Sequence, residues 1–196
     1  MAQRLTAIAL MGGVVHNFPT ELSIQQSGEP DLSFTARYRT RPLDDPFYYV
    51  LKLSLKMLNH DWEIQLIHHK LYLTNPPPEV QHFEVTHGFN ILTLNRVFQM
   101  GRFRLPLGLG AVLPHAESEI RHRKYQSRGG FLNLGYRISG PVLLAGVGRE
   151  FPLGKRLKLV LEVQFIGGRA RVPIAGGEAR LSNVALHGLL GLEAGL

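Results

Sequence analysis

The sequence predicts an all-β protein that closes into an antiparallel up-and-down barrel and crosses a membrane with its strands. Three observations predict it. In Arg156–Phe165 apolar residues alternate with mostly polar or charged ones, so an extended strand has one apolar and one charged face. The same alternation recurs along the chain, where short turns and long loops separate the runs alternately. Runs of about 10–12 residues suit a tilted membrane crossing better than the ~5–6 residues of ordinary globular strands.

The composition narrows the function classes. The chain of 196 residues is long enough for one domain, and charged residues make up only 19% of it, below the roughly 25% of typical soluble domains. A formal charge of +7 is compatible with nucleic acid, an anionic membrane surface or charges enclosed in a barrel. Because no basic run is interleaved with aromatic residues, we expect no nucleic-acid partner. The absence of cysteine excludes disulfides and thiolate metal sites.

The first 30 residues fit more than one structure. Leu5–Val15 is apolar on both faces and shorter than the ~18–20 residues of a spanning helix, so it fits a strand or a short buried helix. With the residues up to Pro30 it forms either a plug-like lead-in or an extra hairpin. Arg4 before an apolar stretch also resembles a signal peptide, but no small-x-small cleavage site follows, and we expect a mature chain whose export signal has been removed.

Eight strands are predicted from Asp31 onward. The first is Asp31–Arg41, which alternates between apolar residues and polar residues that include Arg37 and Arg39. The others are Phe47–Met57, Trp62–Leu73, Phe83–Gln99, Phe103–Leu113, a strand within Phe131–Phe151, Arg156–Phe165 and Leu181–Leu196. A lead-in hairpin would raise the count to ten, and either even count leaves both termini at the same end of the barrel.

The apolar faces can point outward to lipid or inward to a dry core. A soluble lipocalin-like barrel would enclose the leucines of Arg156–Phe165, whereas a membrane barrel would turn them to lipid. We expect the membrane case, in which eight strands leave no width for an open pore and side chains of both charge signs fill the interior. The predicted interior network consists of Arg37, Arg39, Lys52, Lys56, Glu63, Lys158, Glu162, His187 and Glu193, and Arg104 shares their face.

With this pattern the chain resembles the small outer-membrane β-barrel proteins of Gram-negative bacteria, in the size class of the OmpA barrel and the lipid A-modifying enzymes. The likeness covers Asp31–Leu196 and rests on the hairpin rhythm and the C-terminal strand Val184–Leu196. Such chains usually end in an aromatic residue, whereas this one ends in Leu196. The resemblance implies a monomer in the bacterial outer membrane, with membrane lipid and lipopolysaccharide as its partners. No enzyme-family motif is matched, so no catalytic residue is carried over.

Histidines next to the triple-proline loop are candidates for chemistry. His69 ends one strand and His87 begins the next beside Glu84, and hairpin geometry would bring these ends together. The three side chains could form an acid–base cluster or an imidazole metal site, or they could be residues of the membrane interface. Because strict alternation points His69 and Glu84 inward but His87 toward lipid, we expect a structural role, with no metal and no cofactor.

The long loop His115–Gly130 offers two further hypotheses. Ser118 lies near His115 and Glu117, a composition that could supply the nucleophile, base and carboxylate of a lipid A hydrolase. The predicted ligand-binding cations of this loop are Arg121, Arg123, Lys124 and Arg128. They could bind lipopolysaccharide phosphates, since arginine makes bidentate contacts to phosphate, or simply keep the rim hydrated. We therefore expect a non-catalytic structural or lipopolysaccharide-binding barrel; the alternatives are a hydrolase and a soluble lipid carrier.

Overall fold

The computed structural model describes residues 4–45, 47–85, 89–126 and 137–196, and the regular structure within them is entirely β. None of the described residues forms a helix able to span a membrane. The strands are β1 (Arg4–Phe18), β2 (Thr20–Gln26), β3 (Leu32–Ala36), β4 (Tyr38–Arg39), β5 (Tyr49–Met57), β6 (His60–His68), β7 (Leu71–Leu73), β8 (Val80–Val85), β9 (Phe89–Met100), β10 (Phe103–Pro114), β11 (Glu117–Ile120), β12 (Arg123–Gln126), β13 (Gly140–Pro152), β14 (Leu157–Ile174) and β15 (Gly177–Gly195).

Eight of these strands form a closed barrel in the order β1-β5-β6-β9-β10-β13-β14-β15. The pairing of β1 with β15 closes the cylinder, and Ile8 lies between Leu53 of β5 and Ala194 of β15. Every neighbouring pair is antiparallel. The predicted fold class and the count of eight barrel strands are confirmed.

The membership of the barrel differs from the prediction at the N-terminus. Arg4–Phe18 is the first barrel strand, neither a lead-in nor an extra hairpin. Its inward face carries Ala7, Ala9 and other small or apolar residues, so it lacks the polar alternation of the strands beside it. The segment Asp31–Arg41 is predicted above as the first barrel strand. It instead forms β3 and β4, which are not among the eight barrel strands.

The connections sort to two ends of the cylinder. Tight turns follow β5, β9 and β13 at one end, here the turn end, where both termini also lie. In the first of these turns Leu58 and Asn59 have φ of 50° and 61°, the pair of positive values that a two-residue hairpin turn requires. Long connections leave the other end, the loop end. In outer-membrane barrels short turns face the periplasm and long loops face the exterior.

The long connections build a second layer, the loop dome, from β2–β4, β7, β8, β11, β12 and the loop-side ends of β14 and β15. β2 pairs with β15 and with β3, while β12, β11, β8, β7 and β4 form a separate five-stranded sheet. The two sheets enclose an apolar core. Its buried residues include Leu22, Ile24, Ala36, Tyr38, Leu71, Phe83, Ile120, Val172, Ile174 and Leu181. The dome is therefore packed in the way of a soluble protein, with its apolar residues inside.

The barrel wall has the opposite polarity. Its outward apolar residues form a continuous band, here the apolar belt. Members with side chains that are 43% to 69% exposed include Leu10, Val14, Leu92, Leu94, Leu107, Leu109, Leu143, Leu161, Phe165, Leu190 and Leu192. Inside the same wall Lys52 is 1% exposed and Glu162 is 3% exposed. The apolar face thus points to lipid, as predicted, and the soluble lipocalin-like reading is wrong.

A positive charge in the apolar belt should destabilise the protein. We expect Leu109→Arg, near the middle of β10, to lower the free energy of unfolding by about 2–4 kcal/mol, the cost of a cation at the bilayer midplane. The control is Thr35→Arg on the exposed face of β3 in the loop dome, which should change it little. Urea unfolding in lipid vesicles measures both variants, and equal losses in the two would contradict this placement of the membrane.

Candidate functional site

A buried ion network fills the turn-end half of the barrel. The Lys52 Nζ of β5 lies 2.7 Å from Glu162 Oε1 of β14 and 3.3 Å from Glu63 Oε1 of β6. The Arg104 guanidinium of β10 contacts Glu63 and lies 3.7 Å from Glu162 Oε2. Both carboxylates therefore receive two cations from opposite walls of the barrel, the condition under which buried charge is tolerated.

The network continues to the mouth of the barrel at the turn end. Arg104 Nη1 lies 3.2 Å from Glu150 Oε1 of β13 and 3.7 Å from Glu193 Oε2 of β15. Lys158 Nζ lies 2.6 Å from Glu150 Oε2 and 3.1 Å from Glu193 Oε1. The chain of contacts thus joins three cations to four carboxylates and links six of the eight barrel strands.

Glycines on the inward face make room for these side chains. A Cβ on Gly148 of β13 would stand 2.9 Å from Glu162 Cγ and 3.1 Å from Arg104 Cγ. A Cβ on Gly108 of β10 would stand 1.8 Å from Asn95 Oδ1. Glycines on β10 and β13 therefore leave space for long polar side chains of the barrel interior, which is how a narrow barrel holds them.

Amides form the next layer toward the loop end. Gln65 Nε2 donates to Gln164 Oε1 over 2.8 Å, and Gln164 Nε2 donates back to Gln65 Oε1 over 2.9 Å. Gln164 also donates to Glu162, and Asn95 Nδ2 lies 3.4 Å from both Glu63 Oε1 and Gln65 Oε1. This amide pair crosses the barrel from β6 to β14 and connects the charges below it to the imidazoles above.

Two imidazoles occupy the third layer, at the base of the loop dome. The rings of His69, directly after β6, and His187 of β15 have centroids 5.0 Å apart. His187 Nδ1 is 2.8 Å from the Tyr48 hydroxyl, and His69 Nε2 is 3.3 Å from Thr40 Oγ1. In the part of the chain that the structure describes, His69 Nδ1 and His187 Nε2 have no hydrogen-bond partner. Both histidines are fully buried, so the pair belongs to the filling of the barrel.

The predicted cluster of His69, Glu84 and His87 is not brought together as a whole. After His69 the chain leaves the barrel for the dome, where Glu84 lies on the face of β8 opposite the buried Phe83 and Val85. Glu84 Oε1 is 3.2 Å from His82 Nε2, while the His69 ring faces the barrel interior. His87 lies outside the described residues. Among those described, no group of three or more His, Asp and Glu side chains is arranged to hold a metal ion.

The hydrolase composition of the long loop does not form a triad either. Ser118 is 4% exposed and packs toward the dome core on β11, whereas Glu117 lies on the other face of that strand. His115 Nε2 is 3.9 Å from Glu117 Oε1. The Ser118 hydroxyl thus points away from the Glu117 carboxylate across the pleat of the strand.

The predicted interior network is partly corrected. Lys52, Glu63, Lys158, Glu162 and Glu193 lie together as described, and His187 lies in the imidazole layer. Arg37 and Arg39 are exposed, because β3 and β4 belong to the loop dome, whose interior is apolar. Lys56 is also exposed, at the turn end, 3.6 Å from Asp61.

One network member was missed by the sequence analysis. Glu150 lies on the inward face of β13, in a strand that was not divided into faces because of the break at Ser139–Pro141. The signal was present: Gly146, Gly148 and Glu150 alternate with the outward Ala145, Val147 and Arg149.

Two of the four predicted ligand-binding cations are used within the dome. Arg121, at a turn with φ of 52°, donates to Gln26 Oε1 over 3.1 Å and to the Pro30 carbonyl over 2.7 Å. Arg123 Nη2 lies 3.2 Å from Glu29 Oε1. These contacts fasten the β11–β12 hairpin to the β2–β3 turn.

The other two cations differ from these. The Lys124 side chain is 80% exposed, with Nζ 3.6 Å from Glu119 Oε2. Arg128 lies outside the described residues. Lys124 is therefore the described loop cation that is most open to a partner.

Lys70 fastens the first long connection to the base of the dome. Its Nζ donates to the Asp44 carbonyl over 2.8 Å and lies 5.7 Å from the centre of the Tyr72 ring. Burial lowers the pKa of the Lys70 ammonium, and the nearby Asp44 and Asp45 carboxylates act in the opposite direction. Burial raises the pKa of the Tyr38 hydroxyl in the dome core.

Comparisons with known proteins support the fold. No protein-family model and no curated protein matches the sequence. Among solved structures, the outer-membrane protein AlkL in lipid bilayers matches with a TM-score of 0.50 at 12% identity, over 98% of this chain and 90% of that one. Neisserial surface protein A matches with a TM-score of 0.48 at 9% identity over 100% of both chains, and Ail of Yersinia pestis with 0.40 at 11% identity over 96% and 99%.

At such identities the likeness to AlkL shows the fold alone. Together with the outward apolar belt, that fold makes the chain a small β-barrel of the bacterial outer-membrane type. The outer-membrane localisation predicted from the sequence agrees with this fold and with the outward apolar belt.

The ion network can be tested by removing one cation. We expect Lys52→Met to lower the free energy of unfolding by about 3–5 kcal/mol, because it leaves Glu63 and Glu162 with one shared cation in a buried site. The matched control on the same strand is Lys56→Met, whose exposed ion pair should contribute less than about 1 kcal/mol. Unfolding in urea compares the two, and a Lys52→Met loss no larger than the control's would refute the role of the network.

The fastening of the dome can be tested through Arg121. Arg121→Gln should remove two charge-assisted hydrogen bonds, worth about 1.5–3 kcal/mol each, and so speed proteinase K cleavage within the dome. Lys124→Gln, on the neighbouring exposed cation, should leave the cleavage rate unchanged. The measurement is the rate of fragment formation on gels at constant temperature, and the idea fails if both variants are cleaved alike.

Proposed function

We propose that the chain is a non-catalytic outer-membrane barrel with a sealed interior, which acts through its loop dome and outer wall in contact with lipopolysaccharide. The observation that carries this proposal is the continuous filling of the barrel. Ion network, amide pair, imidazole pair and dome core follow one another from the turn end to the loop end.

A sealed interior fits this filling because each layer is anchored on opposite walls. Gln65 and Gln164 are fully buried, as are Glu63 below them and Phe89 above. A solute crossing the barrel would have to separate charges and amides that have no water to replace their partners, at a cost of several kcal/mol for each pair. A structural or surface role needs no such path.

A non-catalytic role fits the placement of the candidate groups. The imidazoles of His69 and His187 are enclosed by the barrel, and the hydroxyl of Ser118 is buried in the dome. A hydrolase acting on membrane lipid needs its nucleophile and base together at the lipid-facing rim. Lipid A hydrolysis therefore has less support than binding.

Contact with lipopolysaccharide fits the charge of the loop end. Exposed arginines and lysines occur on the dome and on the wall just above the belt, including Arg37, Arg39, Lys124, Arg169 and Arg171. Guanidinium groups bind phosphate in a bidentate geometry, and an outer-leaflet surface is crowded with phosphates. Because these cations lie above the apolar belt, membrane lipid can surround the belt of a monomer.

Electrical recording tests the sealed interior. The purified protein in planar lipid bilayers should show no discrete conductance steps, because no water-filled path crosses the ion network. A large general porin added to the same membranes serves as the positive control. Reproducible single-channel openings of the purified barrel would overturn the proposal.

A further inference from the structure

The outward face of β14 changes character where the strand leaves the apolar belt. Its outward residues run from Phe165 and Gly167 to Arg169 and Arg171. On the neighbouring strand β15, Ser182 pairs with Arg169 and Arg180 pairs with Arg171. Three arginines thus meet on two adjacent strands directly above the membrane-facing surface, in what we call the arginine patch (Arg169, Arg171 and Arg180).

The charges of the arginine patch are only partly compensated. Arg180 Nε donates to Glu178 Oε1 over 2.7 Å. Arg169 and Arg171 are exposed and have no carboxylate partner within the described part of the chain. Glu21, at the edge of the patch, accepts a hydrogen bond from Ser33 over 2.8 Å.

The patch lines a concave cavity of about 530 Å³, whose other residues are small or polar apart from Pro141 and Leu181. Its side chains include the hydroxyls of Ser23, Ser139 and Ser182. Glu21 also lines this cavity, but in the described part of the chain Arg169 and Arg171 make no ion pair with it, and two such guanidinium groups side by side favour an anion with several oxygens.

An apolar groove lies in the belt immediately below the patch. It has a volume of about 1010 Å³ on the lipid-facing wall, between the side chains of Leu107, Leu109, Leu143 and Phe165. Small residues form its floor, Ala145 of β13 among them. A Cβ on Gly167 of β14 would meet no atom within 4 Å. The groove therefore exists because glycine and alanine stand where neighbouring strands carry leucine.

The patch and the groove both include residues on the outward face of β14. Gly167, which lines the groove, precedes Arg169 by two residues, a rise of about 7 Å along a strand. A phosphate held by the arginines would stand at the edge of the apolar belt, with the groove beneath it at acyl-chain depth. Neither a soluble anion nor an uncharged lipid would use both halves.

We propose that this outer wall of β13–β15 is a binding site for a phosphorylated lipid of the outer leaflet. Arg169 and Arg171 hold the phosphate, and one acyl chain lies in the groove over Ala145 and Gly167. The site rests on the proposed function, since it requires the barrel to be in the membrane with its loop end at the outer leaflet. It deepens that function by assigning the phosphate and one acyl chain of a bound lipid to named residues of the outer wall.

The phosphate half is tested with purified protein in detergent. Native mass spectrometry and titration compare bisphosphorylated lipid A with its dephosphorylated form. The double variant Arg169→Gln with Arg171→Gln should bind the phosphorylated lipid about tenfold or more weakly, as the loss of about 1.4 kcal/mol or more implies. The matched control, Lys155→Gln with Arg156→Gln in the exposed turn between β13 and β14 at the turn end, should bind like the wild type. Equal weakening by both pairs would reduce the patch to general basicity and overturn the proposal.

The acyl half is tested by filling the groove. Gly167→Leu should weaken lipid A binding about tenfold, because the added side chain would occupy the groove in which the acyl chain lies. Leu190→Phe elsewhere in the belt is the control and should have no effect. Unchanged lipid binding by Gly167→Leu, or inorganic pyrophosphate binding as tightly as lipid A, would overturn the proposal in favour of a soluble-anion site.

The two proposals fail in different ways. Every variant is first checked for the heat-dependent gel shift of a closed barrel, so that weak binding by an unfolded protein is not counted. A wild-type barrel that conducts no ions but does not prefer phosphorylated lipid contradicts the lipid site and leaves the sealed barrel intact. A wild-type barrel that conducts ions contradicts the sealed barrel, whatever its lipid binding.

Discussion

The structure depends on one constraint: a narrow barrel in lipid must neutralise every charge that it encloses. Lys52 and Arg104 enter from opposite walls and share Glu63 and Glu162 between them. Water cannot reach these groups in quantity, and an isolated buried charge is far costlier than a paired one. The glycines of β10 and β13 follow from the same constraint, because a side chain at Gly148 would displace Glu162 and Arg104, and one at Gly108 would displace Asn95.

Much of the barrel could be predicted because this constraint leaves a mark on the sequence. Polar residues alternate with leucines in β5, β6 and β14, and this alternation predicts the fold class and the outward leucines. The charged faces of the predicted strands contain six of the seven members of the ion network. Glu150 was not predicted only because the break near Ser139–Pro141 left β13 without an assigned inward face. The partners of each charge could not be predicted, since they come from strands far apart in the chain and meet only when the cylinder closes.

The errors have a physical origin in the same alternation. Asp31–Arg41 alternates as clearly as any barrel strand, yet its apolar residues point inward and Arg37 and Arg39 point to water. Barrel and dome read alike in sequence because both place polar and apolar residues at every second position. The two differ only in which face points inward, and that depends on whether lipid or water surrounds the strand. Conversely β1 lacks polar alternation, because its alanines line the interior opposite longer side chains.

Strand β14 contains both arrangements: its polar residues point inward in the barrel and outward in the dome. In the belt Gln164 points in and Phe165 points out, whereas in the dome Ala170 points in and Arg169 points out. This inversion marks the edge of the hydrocarbon region on the barrel wall. A shift of the barrel along the bilayer normal would bring arginines into the hydrocarbon region or expose leucines to water. A bilayer thicker or thinner than the belt must deform around the wall or tilt the cylinder. The residue pattern of β14 alone therefore determines how deeply the protein sits in the bilayer.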